Sequence, residues 1–194
     1  MKRIIFLILL GLAAPVPDLF SQDSEKDIII VNGRIVDGTG NSWFRSDILI
    51  KGDRIVSIAR GLKEAHPNAL IIDAGNKIVC PGFIDVHGHI EGSIFERPTA
   101  DNYIYDGVTT VVTGNCGNSA NDIGMFLRRI DSVGTSINVA TLVGHNTIRT
   151  LGMGLENRRA SEVEMQKMEA ITQKAMHDGA VGMSTGLIYL PGMY

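Results

Sequence analysis

Pro81-Gly82-Phe83-Ile84-Asp85-Val86-His87-Gly88-His89 (81–89) is where the chain changes character. Before it, short apolar runs are separated by turn signals. After it, apolar runs alternate with helical stretches. Residues 83–86 read as a strand and residues 99–106 as a short helix closed by Gly107. Val108-Thr109-Thr110-Val111-Val112 is β-branched throughout, as suits a strand buried on both faces. Asp122 is placed to cap a helix carrying Ile123, Phe126, Leu127 and Ile130 on one face, with Gly134 as its stop. Residues 137–143 form the third strand. Ser161-Glu162-Val163-Glu164 is a capping box, and Met165, Met168, Ile171, Ala175 and Met176 make the stripe of the helix it opens. Such a stripe reads as core packing. Gly179 ends that helix, and residues 181–185 form a fourth strand.

Strands alternating with helices imply an α/β class with a parallel sheet. About four βα units are present, and no Gly-x-Gly-x-x-Gly follows the first strand. That disfavours a dinucleotide-binding sheet and leaves a (β/α) barrel or a flavodoxin-like sheet. A closed barrel needs eight units, so on the barrel reading this one is incomplete.

Residues 27–80 predict a small antiparallel β unit. Asn32-Gly33 between two apolar runs is a type I′ hairpin signal, because both central positions of that turn need positive φ. Lys51-Gly52-Asp53 and Asp73-Ala74-Gly75-Asn76 supply further turns. Cys80 sits in an apolar run and reads as core.

The first residues stand apart. Lys2 and Arg3 precede an apolar run over 4–14, broken by Pro15 and Pro17. This is the order of a secretory signal peptide, with cleavage expected near Ser21 or Gln22. The organisation read from sequence is therefore a signal peptide over 1–21, a β segment over 22–80 and an α/β part over 81–194. The expected destination is secreted or periplasmic. No run of 18 apolar residues is present, so no membrane span is expected in the mature chain. The chain of 194 residues is 44% apolar and 20% charged with net charge -3, a globular composition. Its mild acidity and lack of a basic stripe argue against nucleic acid as a partner. Two Cys are too few for a disulfide scaffold.

The candidate chemistry gathers at strand ends. His87 and His89 are two apart, so in a strand both imidazoles point the same way. Two converging imidazoles suit a divalent transition metal; the alternative is two loop histidines with no shared task. Cys116 ends the second strand in Thr113-Gly114-Asn115-Cys116-Gly117. Its thiolate is a soft ligand that suits zinc, and the alternative is a small buried hydrophobe. His145 and Arg149 follow the third strand, and Ser184, Thr185, Tyr189 and Tyr194 the fourth. All fall at the end of the strands where barrel enzymes build their sites. Ser184 lacks an adjacent base and an elbow motif, which weakens a nucleophile role. Asp85 shares the strand period of the two histidines and reads as support for one of them, the alternative being a substitute base. His66 and His177 read as surface residues. No residue of the chain is assigned as the catalytic acid or base.

With these motifs together, residues 27–194 resemble the amidohydrolase superfamily, and within it the N-acyl-D-amino-acid deacylases, or D-aminoacylases. The resemblance rests on residues 32–40, 81–89, 107–117, 142–149 and 182–192, with Asn-Cys-Gly and Ser-Thr-Gly-Leu as the narrower segments. It implies a small β-sandwich flanking a metal-dependent (β/α)8 TIM-type barrel, with zinc as cofactor and an N-acyl amino acid as small-molecule substrate. It makes Cys116 a zinc ligand alongside two later histidines. His87 and His89 become part of a second metal position shared with a later Asp, which also transfers the proton. His145, Arg149 and Tyr189 become the candidates for holding substrate. The later His and Asp are not in this sequence, so the chain reads as an N-terminal portion, inactive by itself. Two alternatives are a cyclic-amide hydrolase of the hydantoinase or dihydroorotase kind, and a non-catalytic exported zinc-binding fragment. The first typically uses a modified Lys on the fourth strand, and residues 181–185 contain none.

Overall fold

The structure, a computed structural model, describes residues 26–194. The expected signal peptide, residues 1–21, lies outside the described residues. The chain divides into two compact units, one ending at Cys80 and the other spanning Pro81–Tyr194.

The first unit is one five-stranded sheet. It contains β1 (Ile28–Ile35), β2 (Phe44–Lys51), β3 (Arg54–Ala59), the single-turn helix α1 (Leu62–Ala65), β4 (Leu70–Asp73) and β5 (Ile78–Val79). The strand order is β3-β2-β1-β4, with β5 also on β1. β2 and β3 form a tight hairpin around Gly52 and Asp53, with Lys51 opposite Arg54. Ile29, Val31 and Leu49 form its buried centre.

Four sequence expectations are corrected here. Asn32-Gly33 is not a hairpin turn, because β1 runs straight through it. Only Asn32 takes positive φ, at 58°, and the register against β2 slips between Ile30 and Gly33. The pair is thus a β-bulge: three residue steps on β1 face two on β2, and the extra residue is absorbed by the left-handed backbone that Asn tolerates. The unit is mixed, not antiparallel, since β4 and β5 both run parallel to β1. The turn at 73–76 does not reverse the chain. It bridges the bulge, with Ala74 N–H donating to Val31 O and Asn76 N–H to Asn32 O, each at 2.9 Å. Cys80 is exposed and not in the core.

The second unit alternates strands and helices. Its elements are β6 (Phe83–Asp85), α2 (Ser93–Glu96), α3 (Asp101–Tyr105), β7 (Val108–Thr113), α4 (Ile123–Val133), β8 (Asn138–Thr141), β9 (Val143–Gly144), α5 (His145–Met153), α6 (Glu162–His177) and β10 (Met183–Ser184). β6, β7 and β8 pair in parallel in chain order, and β10 pairs in parallel with β9. The third predicted strand is therefore two short ones interrupted at Leu142. One side pairs with β7 and the other with β10.

Local chemistry sets the helix ends. Asp122 caps α4 by accepting from Met125 N–H, and Gly134 closes it. Ser161 and Glu164 form the reciprocal capping box of α6. Apolar faces of α4 and β7 then meet through Val111, Phe126, Ile130 and Ile137, with Ile90, Ile94 and Ala100. A second cluster joins Ile123, Val143, Ile148, Ala175 and Ala180. Two expectations fail in this unit. β7 is not buried on both faces: on one face Val111 and Thr113 are buried but Thr109 is exposed, and on the other Val108, Thr110 and Val112 are only half-buried. In α6, Met168 and Ile171 pack on the core, but Met165 and Met176 are about half exposed at 46% and 45%. A 3.6-residue period spreads those two to the margins of the buried stripe. Among the described residues no helix is long and apolar enough to cross a membrane.

Candidate metal centre

The parallel pairing of β6 and β7 puts the segments that follow them side by side. His87 and His89 come from the first and Cys116 from the second. Their ligand atoms all lie within 4.8 Å of one another, and His87 Nε2 is 3.2 Å from Cys116 Sγ. The two imidazoles meet edge to face with centroids 5.5 Å apart. β6 ends at Asp85, so the histidines lie just beyond the strand, where both side chains are exposed.

The backbone around them is tightly specified. Asp85 Oδ1 accepts from His87 N–H at 3.0 Å, which turns the chain out of the strand. Gly88 is pressed against β7: its N–H donates to Val112 O at 3.0 Å, and an added Cβ would lie 2.3 Å from Val111 Cγ2. Cys116 itself has φ 56°, a left-handed conformation that non-glycine residues rarely adopt. Four neighbours hold this loop. Glu91 Oε1 accepts from Gly114 N–H at 2.8 Å. Asn115, buried, donates to Val112 O at 2.8 Å and to Gly88 O at 3.4 Å, which ties the two ligand segments together. At the start of α5, Asn146 N–H donates to Gly117 O at 2.8 Å. Ser184 Oγ accepts from Gly117 N–H at 2.9 Å and donates to Gly114 O at 2.6 Å.

Two imidazole nitrogens and a thiolate sulfur fit a divalent ion that accepts both donor types. Such an ion is tetrahedral in proteins and leaves a position for water or substrate when three side chains bind it. Among the described residues no carboxylate joins the three ligands as a fourth member of the cluster. Beside it, His89 lines a cavity of about 400 Å³ with Glu96, Arg97, Asn102 and Tyr103. Burial, and then the negative charges of Asp85 and Glu91, hold the Tyr103 phenol above its ordinary value.

The residues expected to hold substrate do not form one group. His145 and Arg149 line a larger cavity of about 700 Å³ with Arg159, Met168, Glu169 and Met183. His145 Nδ1 and Arg149 Nε are buried there without a partner among the described residues. The Arg149 Nη2 is already committed, donating to Glu156 O at 2.8 Å and Arg158 O at 3.2 Å. Tyr189 is 46% exposed and is not part of that cavity's lining. Sequence reasoning passed over Glu91, read Asn115 only as part of a motif, and weighed no supporting role for Ser184. Their roles arise from contacts across 23, 27 and 67–70 residues of sequence, with no local motif to announce them.

Comparison with known proteins bears on this arrangement. Residues 70–191 match the model of the amidohydrolase family. The N-acyl-D-glutamate deacylase of Alcaligenes xylosoxydans xylosoxydans is 36% identical over 193 aligned residues, covering 88% of this chain and 39% of the relative. The D-aminoacylase of the same organism is 31% identical, with 88% and 40% covered. Among solved structures, the N-acyl-D-glutamate deacylase of Bordetella bronchiseptica, complexed with zinc and a phosphonate inhibitor, superposes with a TM-score of 0.78 at 37% identity, over 87% of this chain and 40% of that one. The chain thus spans about 40% of the length of the curated relatives it matches.

Proposed function

This chain belongs to the amidohydrolase family, and we propose that the protein hydrolyses the amide of N-acyl-D-amino acids with zinc held in part by His87, His89 and Cys116. The observation that carries this reading is the convergence of three ligand atoms within 4.8 Å from two separate strand ends. The deacylases named above support the substrate class. In the same reading, the parallel strands β6 to β10 are the first part of a (β/α)8 barrel, whose C-terminal rim carries the site.

Zinc in such a site polarises an amide carbonyl and acidifies water. His87 and His89 offer neutral imidazoles from an exposed rim that a substrate can reach. Cys116 contributes negative charge, which strengthens the hold on a cation. Asp85 is a positioning residue, because its carboxylate is occupied with the His87 backbone N–H. His145 and Arg149 are assigned to the substrate through the cavity they share, where Arg149 Nε, buried without a partner among the described residues, suits a carboxylate, and Tyr189 is assigned to it from outside that cavity. Residues 26–194 alone bind metal without turning over an amide, since among the described residues no carboxylate joins the cluster to serve as the general base that hydrolysis needs. Residues 1–21 direct export.

The test is amine release from N-acyl-D-glutamate and from its L-enantiomer, by the protein carrying this chain and by its Cys116→Ser variant. The reading expects release from the D-compound only, dependent on zinc and lost in the variant. Release from the L-compound, or release indifferent to zinc, overturns it.

A further inference from the structure

We infer that Ser184 is a positioning residue for the metal site, and that its hydroxyl fixes the Cys116 thiolate in its ligating geometry; this rests on the metal reading above. Ser184 lies on β10, 68 positions beyond Cys116 in the chain. Its one hydroxyl nevertheless engages both flanks of Cys116. It donates to Gly114 O at 2.6 Å and accepts from Gly117 N–H at 2.9 Å. The next turn adds a second constraint: Gly186 packs so closely that a Cβ there would sit 2.1 Å from Cys116 O.

The constraint matters because of what it encloses. Cys116, with φ 56°, is held between Gly114 at 77° and Gly117 at 81°. Two glycines beside a left-handed Cys make a loop with many accessible conformations, most of which aim the sulfur elsewhere. A hydroxyl bonded to the backbone on both sides of the Cys removes much of that freedom. Ser suits the task since it donates once and accepts at the same atom. Alanine would leave the carbonyl of Gly114 and the N–H of Gly117, both buried residues, without this partner, and both would seek water by moving the loop.

Outer residues that orient a metal ligand typically cost 10–100-fold in affinity when removed, and that is the range expected for Ser184→Ala. The full chain is loaded with cobalt(II), whose thiolate charge-transfer absorption reports the sulfur bond directly, and affinity is read by chelator competition. Ser184→Ala is expected to weaken cobalt binding about 10–100-fold and to diminish the charge-transfer band, and Ser184→Thr, which keeps the hydroxyl, to restore both. Thr172→Ala removes a comparable hydrogen bond, to Met168 O at 2.8 Å in α6, and is expected to leave the band unchanged. A folded Ser184→Ala chain with wild-type band and affinity overturns the inference. Cys116→Ala run in parallel separates the two claims: if it too leaves cobalt binding and spectrum unchanged, the metal reading itself falls. A measurement on the unaltered chain covers the case in which Ser184→Ala does not fold. The Gly117 amide is expected to be protected from hydrogen exchange, and exchange at the rate of a free loop amide contradicts the clamp.

Discussion

Gly88→Ala puts a methyl group where the structure has no room for one. The added carbon would lie 2.3 Å from Val111 Cγ2 and 3.2 Å from the Tyr103 hydroxyl. Carbon atoms pack comfortably at about 3.5–4.0 Å, so the contact is short by about 1.2 Å. Val111 cannot retreat, since it is 0% exposed and sits in the cluster with Phe126 and Ile130. The backbone of 87–89 must therefore move, and it carries both imidazoles. Overpacking of this kind costs about 1–3 kcal/mol, and a chain of this size loses about 2–4 °C of melting temperature per kcal/mol. Val111→Ala alone costs about 1.6 kcal/mol for two methyl groups, plus a cavity contribution. In the double variant the alanine at 88 fills the space vacated at 111. The combined loss is then expected to fall short of the sum by about 1 kcal/mol or more, as contacting residues do. Thermal and urea unfolding of the four chains gives the cycle, and zinc affinity provides a parallel readout. Losses that add to within about 0.5 kcal/mol, with zinc binding intact in Gly88→Ala, would refute the close approach of this segment to β7.

The capping box of α6 predicts a pH dependence. The Arg158 guanidinium, then the Ser161 N–H and hydroxyl, hold the Glu164 carboxyl well below its ordinary value of 4.5. A lowered folded-state value means the contribution is fully present above about pH 4.5 and is lost as pH falls from there through the folded value. Far-ultraviolet circular dichroism during an acid titration should show α6 loosening below that point, and Glu164→Gln should flatten the response; an unchanged acid limb in the variant counts against it. For Ser161→Ala the expected loss is about 1 kcal/mol at neutral pH, read by denaturant unfolding. The proposed export predicts a mature N-terminus near Ser21 or Gln22, which N-terminal sequencing of secreted material would check; recovery of intact Met1 there contradicts cleavage.

The strand and helix alternation after Pro81 was legible because its signals are local. β-branched runs, the Asp122 cap and the Ser161 box each act within a few residues. Asn32-Gly33 misled because a left-handed Asn serves a bulge as well as a turn, and the choice depends on which strands lie on either side. β4 and β5 settle that choice, and they are some forty residues away in sequence. The meeting of His87, His89 and Cys116 was legible for a different reason: each follows a strand, and adjacent parallel strands bring their ends together. What holds Cys116 was not legible. Glu91, Asn115 and Ser184 are ordinary polar residues in sequence, and only the folded loop shows that they surround a strained backbone. The grouping of His145 and Arg149 with Tyr189 rested on strand ends alone, and the Arg149 side chain turns instead to the carbonyls of Glu156 and Arg158.

X-ray absorption at the zinc edge tests the central claim most directly, because it reads the ligand atoms and not a consequence of them. The zinc-loaded chain is predicted to show sulfur at about 2.3 Å together with nitrogen at about 2.0–2.1 Å. Cys116→Ser is predicted to lose the sulfur shell, and paired substitution of His87 and His89 to reduce the imidazole scattering. A zinc shell of nitrogen and oxygen only, unaltered by Cys116→Ser, would contradict the assignment of this cluster as the metal centre.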